Sequence, residues 1–177
     1  PWRSALGNVI AGLEFKGVKK SEAIEKGRHW LRRVGLAGFE DSYPHHLSGG
    51  MRKRVSMAQT LIMDPDIILM DESFSALDIQ TRQLMENLLL DLWSGEKKAV
   101  LFITHDLDEA ISMSDRVIVM SAGPASHPIG EFLIDLPRPR DVTEVRGDPR
   151  FVSLHRSIWN VLREEVLKGY ENQMQRK

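Results

Sequence analysis

The composition of this chain is that of an ordinary globular protein with balanced charge. It has 177 residues, 42% hydrophobic and 28% charged, with a net charge of -1. This length fits one domain or a domain and a half with a true core. The charge balance excludes the basic field that is typical of nucleic-acid binding. The sequence contains no cysteine, which excludes disulfides and thiolate metal sites, and no apolar run approaches a membrane span.

The first third of the chain predicts helices. Apolar residues recur at helical spacing through 20–34, and Gly35 supplies a stop. Further helices are predicted over 4–15 and 49–63, with a turn around Pro44 between the helical segments.

From residue 64 onward, strand and helix patterns alternate. Short continuous apolar runs favour strands that are covered on both faces. Alternation of strands with helices implies parallel pairing through right-handed crossovers. A last amphipathic helix is predicted to begin at Asp148-Pro149. The predicted strands are 67–70, 99–104, 116–121 and 129–136, and the helices among them are 78–94 and 106–113.

Two carboxylates, Asp71 and Glu72, directly follow the first predicted strand. Ligands of parallel sheets bind at the carboxyl ends of strands. Acids at the end of a buried strand are costly unless a cation or a proton transfer uses them. Asp71 is therefore a candidate to hold Mg²⁺ through water, and Glu72 to orient or deprotonate an attacking water. The alternative is a pair of acids that cap the following turn.

His105 follows the second predicted strand, at the same edge of the expected sheet. An imidazole in this position can hydrogen-bond to a phosphate oxygen and to the water held by Glu72. The alternative is a polar residue in a strand-to-helix turn.

The run "LSGGMRKR" begins the helix predicted at 49–63. Gly49 and Gly50 leave backbone N–H groups bare at a helix N-terminus, which suits a phosphate, and Ser48 can cap the helix. Three cations at 52–54 are unusual in a first turn and indicate an arriving anion. The alternative is a capped surface helix with a solvated basic turn.

The motifs "LSGGM", "IILMDES", "SALD" and "ITHD" occur in this order. Together they resemble the signature motif, Walker B strand, D-loop and switch histidine of the ATPase subunit of ABC transporters. The resemblance covers essentially the whole chain. It implies an α/β chain with a partial P-loop NTPase fold. The expected parts are a helical subdomain with the signature motif (1–63), part of a RecA-like parallel sheet core (64–136) and a C-terminal helical tail (137–177).

The resemblance also implies cofactors and residue roles. Two copies of such a subunit sandwich two ATP molecules with Mg²⁺. Asp71 then serves the metal, Glu72 the attacking water and His105 the γ-phosphate, while Asp78 links the two sites. The residues expected to contact the γ-phosphate bound on the opposite subunit are Leu47, Ser48, Gly49 and Gly50.

The expected partners are a second ATPase subunit, an integral membrane permease and, indirectly, a periplasmic substrate-binding protein, with no nucleic acid. The expected location is the cytoplasmic face of the bacterial inner membrane, as a peripheral subunit. The tail segments "SDRVIVMS", "IDLPRPRD" and "FVSLHRSIW" resemble the nitrate/sulfonate/taurine importer group. This implies import of a small anion such as nitrate, a sulfonate or taurine.

One departure from the family pattern is large. The sequence contains no G-x-x-x-x-G-K-[ST] phosphate loop and no glutamine loop. We therefore expect the chain to correspond to the back portion of the family, to bind ATP poorly alone and not to hydrolyse it. The strands at 67–70 and 99–104 are expected to expose edges and faces that other strands cover in the family.

One smaller departure and two alternative functions remain. Ser73 stands where the family usually has Pro after Glu72, which predicts a looser turn. A soluble ABC-type ATPase of DNA repair or translation is one alternative, although such proteins have long coiled-coil insertions or a second cassette. The other is a non-catalytic, truncated interaction fragment.

Overall fold

The protein folds into two compact units, Pro1–Leu101 and Phe102–Lys177. Within the described residues, no helix is long and apolar enough to cross a membrane. The three-part division at residues 63 and 136 stays a prediction. The computed structural model describes residues 1–75, 77–95, 98–123 and 125–174, with only the backbone of 95, 164 and 167–174.

Every predicted helix and strand is present, with ends displaced by a few residues. The elements up to the unit boundary are α1 (Ala5–Phe15), α2 (Lys20–Arg33), a 3-10 turn (Pro44–His46), α3 (Gly49–Leu61), β1 (Ile67–Asp71), α4 (Ile79–Gly95) and β2 (Ala99–Ile103), on which the boundary falls. The remaining elements are α5 (Leu107–Met113), β3 (Arg116–Met120), β4 (Pro128–Leu133), a 3-10 turn (Val145–Gly147) and α6 (Pro149–Met174).

The close packing of α1 on α2 depends on Gly27. A Cβ atom added there would lie 2.4 Å from Cγ2 of Ile10 and 2.7 Å from Cδ1 of Leu6. One turn later, Leu31 is fully buried, so the predicted apolar face of α2 is confirmed. The helix ends before Gly35, whose φ of 68° is a left-handed conformation that glycine adopts without strain.

Strands β1 and β2 are hydrogen-bonded neighbours in a two-stranded sheet. The expectation that β1 is covered on both faces is wrong for one face. Ile67 and Leu69 are 64% and 72% exposed, whereas Ile68 is buried, because successive strand side chains point to opposite faces. Leu101 and Ile103 of β2 are exposed as well. The expected exposure of these strand faces is therefore confirmed.

Strand β3 pairs antiparallel with β4, with Arg116 opposite Leu133 and Ile118 opposite Glu131. The parallel pairing predicted across the intervening helix is not found for β3, whose described partner is β4 and not β2. The short connection at 121–127 makes the β3–β4 pair antiparallel, since parallel neighbours need a crossover of about a dozen residues or more.

The amphipathic α6 provides much of the core of the second unit. Asp148 caps its start by accepting a hydrogen bond from the backbone N–H of Arg150 at 2.8 Å. Phe151 and Ile158 are buried in one cluster with residues of α5, β3 and the segment after β4. The apolar face thus covers the β3–β4 ribbon.

A buried arginine ties the second unit together. The side chain of Arg140 is 2% exposed, and burial lowers its pKa to about 10, so it stays charged at neutral pH. Its guanidinium reaches four main-chain carbonyls. Nη1 donates to Ser112 and Ser114 at 3.4 and 2.6 Å, and Nη2 donates to Ile134 and Leu136 at 3.2 and 2.9 Å.

We expect Arg140→Lys to destabilise the second unit by about 3 kcal/mol, because an ammonium cannot serve these carbonyls as a planar fork does. Hydrogen exchange of the β3 and β4 amides measures the loss. The control is Arg116→Lys, whose parent side chain is 60% exposed and pairs with Glu131 at 3.2 Å. That change should cost less than about 0.5 kcal/mol. Equal protection in the two variants would contradict the expectation.

Candidate functional site

Ser48 fixes the N-terminus of α3. Its backbone is extended, and its Oγ accepts a hydrogen bond from the N–H of Met51 at 3.2 Å. The Ser48 carbonyl accepts the first helical bond, from the N–H of Arg52 at 2.9 Å. The cap leaves the serine hydroxyl hydrogen available as a donor. We call residues 47–50 the signature loop; Leu47 is buried, and Ser48 and Gly49 are exposed.

The space at the two glycines is open. A Cβ atom added at Gly49 would find Nη2 of Arg52 as its nearest neighbour, 4.0 Å away. A Cβ atom at Gly50 would lie 3.5 Å from Cδ2 of Leu77, an ordinary contact. The chain's own packing therefore does not require glycine at position 49. What the absent side chains provide is room for a ligand to approach the helix N-terminus.

The two arginines that follow the signature loop are bonded to main-chain carbonyls, which corrects the interpretation that they await an anion. Arg52 Nη1 donates to the Leu47 carbonyl at 2.5 Å. Arg54 Nη1 donates to the carbonyls of Val34 and Gly35 at 3.1 and 3.2 Å. These carbonyls lie at the C-terminus of α2, where the helix dipole favours a cation. Both side chains thus hold the loop and its helix in place.

A cleft of about 240 Å³ runs beside α3, and we call it the α3–β1 cleft. Lys53 of α3, Leu69 of β1 and Leu77 ahead of α4 are among its lining residues, together with Ser73 and Phe74. Lys53 makes no hydrogen bond or ion pair within the described residues. The cleft brings the signature helix, the strand end and the segment before Asp78 to one place.

Asp71 and Glu72 are both exposed at the end of β1. Asp71 continues the alternation of β1 and lies on the same face as Ile67 and Leu69. Glu72 has left the strand: its φ is 44°, a left-handed conformation that is uncommon for residues other than glycine. The alternation of strand side chains therefore ends at Asp71 and does not extend to Glu72.

A turn after Glu72 holds this unusual backbone. The Glu72 carbonyl accepts hydrogen bonds from the Ser75 hydroxyl at 2.9 Å and from the Ser75 N–H at 3.3 Å. Phe74 is buried inside the turn. Strained backbone that its surroundings enforce is concentrated at active sites, so the geometry favours a functional role for Glu72.

Asp78 forms the N-cap of α4. Its Oδ1 accepts a hydrogen bond from the Thr81 N–H at 2.9 Å, and its carbonyl accepts one from Arg82 at 2.8 Å. Hydrogen bonds from Thr81 hold the pKa of Asp78 below its ordinary value of 3.8. This local role coexists with the D-loop role implied by the resemblance. Residue 76 of the same loop lies outside the described residues.

His105 lies in the second unit and is exposed in the turn between β2 and α5. Hydrogen bonds on both sides fix this turn. Thr104 Oγ1 donates to the buried Glu109 at 2.7 Å, and Asp106 caps α5 by accepting from the N–H groups of Asp108 and Glu109. The other candidate residues lie in the first unit.

The residues present fit the expected cofactors. A serine hydroxyl and exposed amides at a helix N-terminus are suitable donors for a phosphate. The exposed carboxylate of Asp71 is a hard oxygen ligand of the kind that Mg²⁺ prefers beside water and phosphate. Sequence reasoning missed Leu77, although an apolar residue inside a polar loop was a signal. It also missed the contact of Arg54 with α2, which no spacing along the chain reveals.

Comparison with known proteins gives consistent results. The family model described as ABC transporter matches residues 5–75. An uncharacterized ABC transporter ATP-binding protein of Methanocaldococcus jannaschii is 52% identical over 96% of this chain and 61% of its own length. A taurine import ATP-binding protein of Rhizobium johnstonii is 41% identical over 92% of this chain and 63% of its own length. An aliphatic sulfonates import ATP-binding protein of Mycobacterium sp. is 46% identical, over 94% and 66%.

Solved structures agree. A dimeric ATP-binding cassette in a post-hydrolysis state, bound to ADP and Pi, has a TM-score of 0.62 and 34% identity over 67% of this chain and 52% of that chain. The fold is thus the α/β P-loop NTPase fold of ABC ATPases, in part. Over nearly its whole length, the chain is homologous to the ATP-binding proteins of ABC transporters. It spans about three-fifths of the length of the first curated relatives.

We expect the cap of α4 to weaken in acid. Because the folded state holds the pKa of Asp78 below 3.8, the unfolded chain takes up the proton first as the pH falls. The contribution of the carboxylate is therefore full above about pH 4 and is lost as the pH falls through the lowered pKa. The measurement is the exchange protection of the Thr81 amide between about pH 3 and pH 6.

Asp78→Asn keeps an oxygen acceptor, so protection near neutrality should persist while its acid dependence disappears. Asp41→Asn, which changes an exposed acid elsewhere in the unit, serves as the control and should leave the profile intact. The same acid dependence in Asp78→Asn would show that another group causes it.

Proposed function

We propose that this chain supplies the signature, Walker B, D-loop and switch-histidine elements of an ATP-hydrolysing cassette that works as a pair. The observation that carries the proposal is the N-terminus of α3, which Ser48 caps and where the space over Gly49 is open. The hydrogen bond from Arg52 to the Leu47 carbonyl holds this end of the helix in place. The dimeric cassette bound to ADP and Pi, which shares the fold, supports a paired arrangement.

In this proposal each group has one task. The Ser48 hydroxyl and the amides of Gly49 and Gly50 bind the γ-phosphate held by the opposite subunit, with Leu47 buried beneath them. Asp71 holds Mg²⁺, which neutralises phosphate charge when bound.

Two further side chains act on the reacting water and phosphate. Glu72 orients or deprotonates the attacking water, which is typically worth on the order of 10²–10⁴-fold in rate. His105 donates a hydrogen bond to the γ-phosphate. Asp78 connects the paired sites through the segment it shares with Leu77, which packs beside Gly50.

The transported substrate is proposed to be a small anion such as nitrate, a sulfonate or taurine. Relatives named for taurine and aliphatic sulfonates import support this class. The permease would lie in the inner membrane, the substrate-binding protein outside it, and this chain at the cytoplasmic face. A glycine betaine transport ATP-binding protein of Bacillus subtilis is 51% identical over 70% of this chain and 29% of its own length, which makes betaine the alternative substrate.

We expect the chain alone to show no ATP turnover above that of Glu72→Gln, because the sequence holds no phosphate loop. Mixed with a relative that keeps its phosphate loop but has a substituted signature serine, the chain should restore Mg-dependent turnover in trans. The measurement is phosphate release. In the mixture, Ser48→Arg should lower the restored rate about a hundredfold, as loss of an oxyanion donor does.

Ser21→Arg is the matched control, since Ser21 is exposed on α2. Restoration by Ser48→Arg as well would remove the signature loop from the mechanism. No restoration by the unaltered chain would favour a non-catalytic interaction fragment. Glu72-dependent turnover by the chain alone would refute its expected inactivity.

We expect cells that lack the gene for this chain to lose uptake of radiolabelled taurine, an alkanesulfonate or nitrate, and to keep uptake of glycine betaine. A gene copy carrying Glu72→Gln, which keeps side-chain size without the carboxylate, should fail to restore the lost uptake. Loss of betaine uptake alone would reassign the substrate class.

A further inference from the structure

An exposed row of alternating apolar and cationic side chains runs along the surface of α6. Val152, Trp159 and Val166 are 51%, 49% and 48% exposed, although they belong to the helix that builds the core of the second unit. Arg156 and Arg163 lie between them and are exposed as well. We call these five residues the α6 stripe.

The α6 stripe is long and narrow. Its residues follow one another at steps of four, three, four and three, and at 100° per residue they fall within an arc of about 80°. The stripe runs for about 21 Å along the helix axis. A seam of this width accepts one partner helix, since helices that pair side by side bury positions with this spacing.

The two cations of the stripe have no partner within the described residues. The other arginines described in the second unit are engaged. They pair with carboxylates or donate to carbonyls: Arg116 with Glu131, Arg138 with Asp115, Arg146 with Asp108, Arg150 with Asp148, and Arg140 with four carbonyls. Among the described arginines of this unit, only Arg156 and Arg163 are therefore unpaired, and they lie on either side of the exposed Trp159 along the helix.

We propose that the α6 stripe docks an acidic amphipathic helix of another protein. Apolar residues of that helix would cover Val152, Trp159 and Val166, and its carboxylates would face Arg156 and Arg163. Tryptophan and arginine are the side chains that most often carry binding energy at interfaces. Arginine also suits carboxylate recognition, because its planar fork binds both oxygens.

Two other occupants fit less well. A second copy of α6 would bring arginines of the two stripes together in either orientation, and like charges at a seam disfavour pairing. A membrane surface is better served by a wide apolar face flanked by cations. Here Arg156 and Arg163 lie inside the apolar arc, where insertion would desolvate them.

The test uses the full chain and a synthetic helical peptide of about three heptads that carries leucine and glutamate at the facing positions. A second peptide has lysine in place of each glutamate. Calorimetry measures both affinities. The glutamate peptide should bind the unaltered chain, and Trp159→Ala or the double change Arg156→Glu with Arg163→Glu should weaken it about tenfold or more. The lysine peptide should bind that double variant better than the unaltered chain.

The matched control is the double change Arg28→Glu with Arg32→Glu, which should leave the affinity unchanged. Both arginines are exposed on α2 and make no hydrogen bond or ion pair within the described residues. Circular dichroism verifies that each variant folds. The proposal is overturned by absent peptide binding, or by equal binding to the stripe and control variants. Binding of the stripe to phosphatidylglycerol vesicles without binding of the peptide would also overturn it. So would a dimer of this chain that does not bind the peptide and that Trp159→Ala dissociates into monomers.

Discussion

Hydrogen bonds from two arginines to main-chain carbonyls hold the N-terminus of α3 where it is. Arg54 joins α3 to the last carbonyls of α2, and Arg52 folds back onto Leu47 just ahead of the helix. The cap by Ser48 then sets the direction of the free amides. A loop with two adjacent glycines has large conformational freedom, and these contacts remove it before any ligand arrives. Pre-organised donors are what an anion site needs.

Strand β1 of the first unit has one buried face and one exposed face. Ile68 and Met70 of β1 are buried and line the α3–β1 cleft, whereas the alternate residues from Ile67 to Asp71 are exposed. The candidate acids therefore stand at the border between packed and uncovered surface. In the second unit, Arg140 has the opposite function. It keeps a charge inside and uses it to bind carbonyls of the segment before β3 and of the segment after β4, which meet at one end of the β3–β4 ribbon.

The sequence predicted the elements well because their signals are local. The capping residues Ser48 and Asp148 have the positions expected of them. The errors concern contacts between distant segments. An apolar run does not reveal whether one or both faces of β1 find a cover, and strand alternation along the chain does not fix which strands pair. Hairpin length decided the pairing of β3.

For the candidate site, the sequence predicted the residue types and their order. The structure added the contacts that fix these residues and corrected the interpretation of the arginines. The cations after the signature loop looked free because their carbonyl partners at Val34 and Gly35 are far away in the chain. The backbone of Glu72 could not be anticipated either. Its left-handed φ results from the turn that Ser75 closes and not from a preference of glutamate.

That backbone has a consequence for how the position can vary. A left-handed conformation costs a residue such as glutamate about 1 kcal/mol, whereas glycine adopts it freely and asparagine adopts it more readily than most. Selection for folding alone would favour those two residues at position 72. Under the role proposed for Glu72, the carboxylate at this position costs stability and serves the chemistry. Drift toward glycine in related chains would then mark copies that have kept the fold and given up the reaction.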